Sequence, residues 1–358
     1  MKIVSRYVLR HFFPVFLLAL AGFTGLYFII DFFEKIDNLL EKQVPLQIIF
    51  TYFICKIPYI MTQGIPMAAL LAALISLGIL KRNRELIAIE TAGINTAYYI
   101  RPVVIAALLL SVAQFVIDES FARSLNQRSQ QIWQQRIQNS KAAVSMTQES
   151  IWYHGQKVIY QIRAYDRSNQ SLEKVSIFFF NSQFKLKQRM DAKRFRWAQN
   201  RWVAEDGLLL EFEGSESTQE WFSIKTLDLP ETPEDFAGLE TVPEDLGWLD
   251  LYSYAKKIQS EGYNSLSYEV QLHMRLAFPL TTLILTILGI TIVLWQGVHG
   301  GIAAGVGIGL IVGSLYLTVL QIGCALATAG ILLPFPGVWA ADMIFSALTA
   351  YLWITHCR

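Results

Sequence analysis

Long apolar runs fill both ends of the chain, and a polar, alternating stretch separates them. No charged residue interrupts Phe12 to Ile30, close to the roughly 20 residues that cross a bilayer. A second run, about 47–80, exceeds one crossing and contains Lys56, Pro58, Gly64 and Pro66, which predicts a kink or a long tilted helix. The third runs from Pro102 to about Ile117 and continues as a polar helix through Arg123, Arg128 and Arg136. Beyond about residue 140 the period becomes that of strands. Val158–Ala164 and Val175–Phe179 alternate, and Phe195-Arg-Trp197 precedes a turn at Ala198–Arg201 and a return strand at Trp202–Ala204. Ile177–Phe180 and Leu208–Leu210 are apolar on both faces, which suits either a plain sandwich core or a strand with one face against something greasy. Residues 230–243 form an acidic, proline-punctuated linker, and Trp248–Ser260 reads as an amphipathic helix stopped by Gly262. Three further apolar runs, about 273–295, 301–326 and 338–355, complete the chain.

The pattern predicts an integral membrane α-helical protein of six transmembrane helices, arranged 3 + 3 around an inserted all-β domain. Its parts are 1–139 with a short cytoplasmic helix at about 82–93, a β-domain at 140–245, and 246–358. Composition agrees, because 53% hydrophobic and 16% charged is too apolar for a soluble chain of 358 residues. Lys2, Arg6 and Arg10 with Ala19-Leu-Ala21 imitate a signal peptide, but the apolar run continues past that point and is read as a retained span. Lys81, Arg82, Arg84 and Arg101 place the connector between the second and third spans on the cytoplasmic side, so six crossings put both termini there. A net charge of +1 with no basic, aromatic-interleaved patch excludes nucleic acid as a partner. Cys55, Cys324 and Cys357 lie in or beside apolar spans and form neither a disulfide framework nor a metal site.

Chemistry of an enzymatic kind is absent from the motifs. There is no phosphate-binding loop with its lysine, and the five histidines are scattered. Three other features stand out. In the connector, Asn83 can cap a helix, Glu85 falls in its first turn, and Gly93 can supply a left-handed exit, so a surface helix of about three turns is predicted. Leu86, Ile89 and Gly93 share one face of it, to which something cytoplasmic could dock; a merely solvated loop is the alternative. Gly301, Gly305, Gly309 and Gly313 make a small-residue stripe, either for a static helix pair or for a face that opens and recloses. Lys56 and Asp342 lie at membrane depth, where charge needs a partner or a polar cavity. Lys35, Lys42, Lys56, Arg123, Arg128, Arg136 and Arg275 gather towards the far-side ends of their spans, where a basic rim would suit a lipid carrying phosphates.

Several texts in this layout carry a resemblance. They are Ile65-Pro-Met-Ala-Ala-Leu70, the connector Arg84-Glu-Leu-Ile-Ala-Ile-Glu-Thr-Ala-Gly93, Ile151-Trp-Tyr with Val158-Ile-Tyr160, Pro243-Glu-Asp-Leu, and Arg275-Leu-Ala-Phe-Pro279-Leu. With the order of spans, they resemble the lipopolysaccharide-export permease family (LptF/LptG type) over nearly the whole chain. Asp31-x-x-Glu34-x-x-Asp37 is more similar to the LptG type. The resemblance implies an inner-membrane ABC permease with a periplasmic β-jellyroll-like domain, paired with a second homologous permease and two copies of a cytoplasmic ATPase. ATP and magnesium would be held by that ATPase, with no cofactor in this chain. Arg84, Glu85, Leu86, Ile89 and Glu90 would couple to it. The first and fifth spans would form a lateral gate, with the four stripe glycines as its packing face. Lipopolysaccharide would pass along Val175, Ile177 and Phe179 to a periplasmic bridge of similar jellyrolls. Two rivals remain: a mechanotransmitting permease that relays ATPase motion without moving substrate, and an ion-coupled transporter built on Asp31, Lys56 and Asp342.

Overall fold

Apolar runs of this length have one low-energy form in a bilayer, because a helix satisfies its own backbone. The computed structural model describes residues 2–42, 44–133, 151–154, 158–166, 171–181, 185–198, 201–213, 216–227, 229–233, 247–260, 265–295 and 301–356. The described helices are α1 (Lys2–Glu41), α2 (Leu46–Arg82), α3 (Glu85–Thr91), α4 (Thr96–Ile117), a π-helical turn (Asp118–Ala122), α5 (Arg123–Ile132), α6 (Trp248–Ser260), α7 (Leu266–Trp295), α8 (Ile302–Thr328) and α9 (Pro334–His356). Six of these segments are long and apolar enough to cross a membrane. Clustering divides the chain into two units, Met1–Gln130 with Pro243–Arg358, and Gln131–Val242.

The first unit is built around α2, which runs unbroken through Pro58 and Pro66 for 37 residues. At 1.5 Å per residue that is about 55 Å, well beyond a hydrocarbon core of about 30 Å. Its stretch Ala68, Ala69, Ala72, Ala73 and Ser76 is fully buried, since small side chains let neighbours approach. Pro66 has no N–H to give the Thr62 carbonyl, and the buried Gln114 of α4 supplies one at 3.0 Å. Gln114 in turn accepts from Thr282 of α7 at 2.5 Å, so one side chain ties three spans. Lys81, at the end of α2, donates to the Val293 and Leu294 carbonyls at 2.5 and 3.0 Å, closing the C-terminus of α7.

The second unit contains six antiparallel strands: β1 (Ile151–His154), β2 (Val158–Asp166), β3 (Ser171–Phe180), β4 (Leu186–Ala198), β5 (Arg201–Glu213) and β6 (Glu216–Leu227). Each pairs only with its sequence neighbours, so the sheet is an up-and-down meander. The all-β expectation holds, while the Greek-key crossings of a jellyroll do not occur among the described strands. One line crosses the sheet where the ladders skip a rung, at Arg163, Lys174, Lys193, Asp206 and Ser223. Lys174 and Asp206 there have φ of 50°. The buried positions change parity across that line, from Leu172 to Val175, from Ala192 to Phe195, and from Ala204 to Leu209. The register is the same on both sides of that line, so the strands are creased together, without a bulge, and one face stays inward on both sides. That face is closed by the segment after β6: Trp202 donates to the Glu231 carbonyl at 2.7 Å, and Tyr160 to the Glu231 carboxylate.

Candidate functional site

The connector helix is shorter than its sequence suggests. Helix α3 has seven residues, and its N-cap is Arg84 in the left-handed region at φ 60°, not Asn83. Asn83 instead closes α2 through its backbone, and its side chain reaches Glu85 at 3.3 Å. The exit is as predicted: Gly93 at φ 79° lets its N–H meet the Glu90 carbonyl while Ile94 meets that of Ile89. Leu86 is buried in the membrane core and Ile89 packs against it, so this apolar pair anchors α3 and is not its outward face. Arg84, Ala88, Glu90 and Thr91 are exposed. The two carboxylates reach different spans. Glu85 accepts from Tyr7 of α1 at 2.7 Å, and Glu90 accepts from Tyr99 of α4 at 2.7 Å.

On the opposite side of the bilayer the expected basic rim is largely neutralised. Lys56 and Lys35 both bind the Asp31 carboxylate, Lys56 at 2.7 Å, and both Asp31 and Lys56 are buried. Arg123 pairs with Asp118 at 2.6 Å, and Arg275 lies 3.6 Å from Glu119. Glu119 also accepts the backbone N–H of Trp248 at the start of α6. These four charges border a cavity of about 500 Å³ with Gln114 and Gln321. The π-helical turn aims Asp118 and Glu119 at it, a backbone irregularity often found at functional sites. Lys42 and Arg128 are exposed, and Arg136 lies outside the described residues. Asp342 accepts a hydrogen bond from Tyr316, and its second oxygen has no hydrogen-bond partner among the described residues.

The glycine stripe has an occupant within the chain. A Cβ at Gly309 would strike Leu74, and one at Gly313 would meet Leu70 and Met67, all on α2, whereas one at Gly301 would meet nothing within 4 Å among the described residues. The stripe is therefore internal packing, and the face of α8 left open is the other one. In the sheet, Val175 and Ile177 are 1% and 0% exposed inside the core, and Phe179 packs at its margin. Along this strand the apolar side chains are thus taken up by the sheet's own core, with Phe179 partly exposed at its edge.

Residues 6–355 match the family described as lipopolysaccharide export system permease LptF/LptG. The chain belongs to this family. Relatives within it include the lipopolysaccharide export system permease protein LptG of Escherichia coli K12 and that of Escherichia coli O6:H1. Each is 21% identical over 306 residues, covering 81% of this chain and 81% of the relative. The LptF/LptG family is one of transport permeases and not of enzymes. Three contributors to the site escaped sequence reasoning. Tyr7 carries no motif, Glu119 is one acid in a polar helix, and Gly323, whose Cβ would strike the Gly337 carbonyl, lies outside the four-residue repeat.

Proposed function

We propose that the chain is the LptG-type permease subunit of an ABC exporter that takes lipopolysaccharide from the inner membrane and passes it to a periplasmic bridge. The observation that carries this reading is a family match running through both membrane halves and the intervening sheet. In this reading both termini and α3 are cytoplasmic, and the sheet is periplasmic. A second homologous permease pairs with the chain, and two ATPase subunits, holding ATP and magnesium, dock on α3 of each permease. The outward residues Arg84, Ala88 and Thr91 meet the ATPase, Glu85 and Glu90 flank them, and the buried Leu86 and Ile89 make α3 a rigid lever.

A lipid with several acyl chains exposes about 0.8 kcal/mol of apolar surface per CH₂ if it crosses water, so an apolar route into the sheet is needed. Val175 and Ile177 supply one only when the sheet opens along its core. The burial of Val175 and Ile177 is also what favours the second reading, in which the permease relays motion to a periplasmic partner and the sheet only docks. A photo-crosslinking residue at Val175, Ile177 or Phe179, in vesicles holding the complete ATP-hydrolysing complex, separates the two. Capture of lipopolysaccharide that requires ATP is the expected result. No capture at any of the three, with hydrolysis intact, overturns the transit route and leaves mechanotransmission.

A further inference from the structure

We propose that Tyr7 is a positioning residue that transmits displacement of α3 into the first span through its hydrogen bond to Glu85. The inference rests on α3 being the ATPase-coupling helix. Helix α3 is joined by short turns to α2 and α4, but α1 lies elsewhere in the sequence and must be linked through space. Tyr7 provides that link, its hydroxyl donating to Glu85 Oε2 at 2.7 Å across 78 residues. The Tyr7 ring stands edge-on to His11 with centroids 4.8 Å apart, which limits the directions the hydroxyl can take.

Geometry at the carboxylate allows the link to persist when a partner docks. Oε2 takes Tyr7 and Oε1 faces Asn83 at 3.3 Å. A carboxylate offers about four acceptor positions, so a cation of the docking protein can be added without displacing Tyr7. Glu90, by contrast, is held by Tyr99 and by Thr96, both on α4. The two acids of α3 thus split its motion between the first and third spans.

Helix α1 is suited to follow such a pull. In its N-terminal half the buried contacts are the single stripe Val8, Phe12, Phe16 and Leu20, about one residue per turn, while further along Asp31, bound by Lys56 of α2, and Leu39 are buried too. A narrow stripe resists separation but lets the N-terminal half of α1 pivot about the point where Asp31 is held by Lys56. A shift of α3 by more than about 1 Å would take a 2.7 Å hydrogen bond beyond its working range unless α1 moved with it.

The test uses the complete complex of this chain, a second permease and the ATPase in proteoliposomes. Tyr7→Phe removes one oxygen and keeps the ring. ATPase association and hydrolysis are expected to stay within twofold, while ATP-driven lipid delivery falls at least fivefold. Glu85→Met, which leaves the Tyr7 hydroxyl no acceptor, is expected to lose delivery too, and Tyr7→Phe in that background to add no further loss. Spin labels at the exposed Ile3 and at Ala92, just past α3, give an independent readout. Their separation is expected to be constant through the ATP cycle in the native complex and to change with nucleotide in Tyr7→Phe. Native delivery by Tyr7→Phe, multiplied losses in the double variant, or a separation that stays constant in Tyr7→Phe would each overturn the proposal. Failure of the coupling-helix reading looks different: Ala88→Trp, on the outward face, would leave ATPase association untouched.

Discussion

Asp31 sets how two lysines behave. With Lys56 and Lys35 on one carboxylate, the cluster carries a residual positive charge. Asp31 and Lys56 are 5% and 6% exposed, so removing the carboxylate strands a buried ammonium, at a cost of about 3 kcal/mol. Asp31→Asn is therefore expected to lower the unfolding midpoint in detergent clearly, and adding Lys56→Met to recover at least half of the loss. Additive losses would show that the two residues do not act as a pair. The need for a partner at Lys56 was legible from its depth in an apolar run, but the partner was not. Asp31 is 25 residues away on an antiparallel span, and Arg275 and Glu119 are joined across an even longer separation. Periodicity reports which residues share a face of one helix; it carries no register between two helices.

At the scale of elements the spans, the amphipathic α6 and the strands were readable because their lengths and periods leave one solution. Helix α3 was read too long, because Asn83 has cap chemistry and lies where a cap could stand, whereas the chain turns through a left-handed Arg84 that no propensity favours. The glycine repeat was legible as packing, but its neighbour was not. Gly323 shows the difference between a repeat and a contact: a Cβ there meets the backbone carbonyl of Gly337, which cannot yield, whereas at Gly309 it meets a δ-methyl of Leu74, which can rotate. Gly323→Ala is expected to cost about 2–3 kcal/mol, Gly309→Ala about 1 kcal/mol, and Gly301→Ala, which places a poorer N-cap on α8, about 0.5–1 kcal/mol. Unfolding of the purified protein in detergent measures the order. A larger loss at Gly301 than at Gly323 would contradict the α8–α9 contact.

At the scale of the membrane unit the spans are unequally covered. The most apolar window of α1 is 11% buried and that of α8 22%, against 67% for α2 and for α7. Lipid tails are as apolar as leucine, so exposure alone does not require a partner. Small residues on the exposed faces say more. Leu18, Gly22, Gly25 and Ile29 form a stripe of alternating three- and four-residue steps on α1, and nothing lies within 4 Å of either glycine position. On α8, Gly307 is equally open and stands beside the exposed Ala304 and Ile311, opposite the stripe that packs on α2. Two such faces permit backbones of a neighbouring chain to come close without interdigitation, and such a contact is cheap to open. If the chain pairs with a second permease as proposed, these faces, and not the stripe packed on α2, are the ones open to it. A photo-crosslinking residue at Leu18 or Ile311 is therefore expected to capture that permease, with less capture when lipopolysaccharide is loaded, whereas one at the equally exposed Leu109 of α4 captures lipid. Capture of the permease at Leu109, with lipid alone at Leu18 and Ile311, would move the pairing face to α4 and leave α1 as an outer helix with no gate to open.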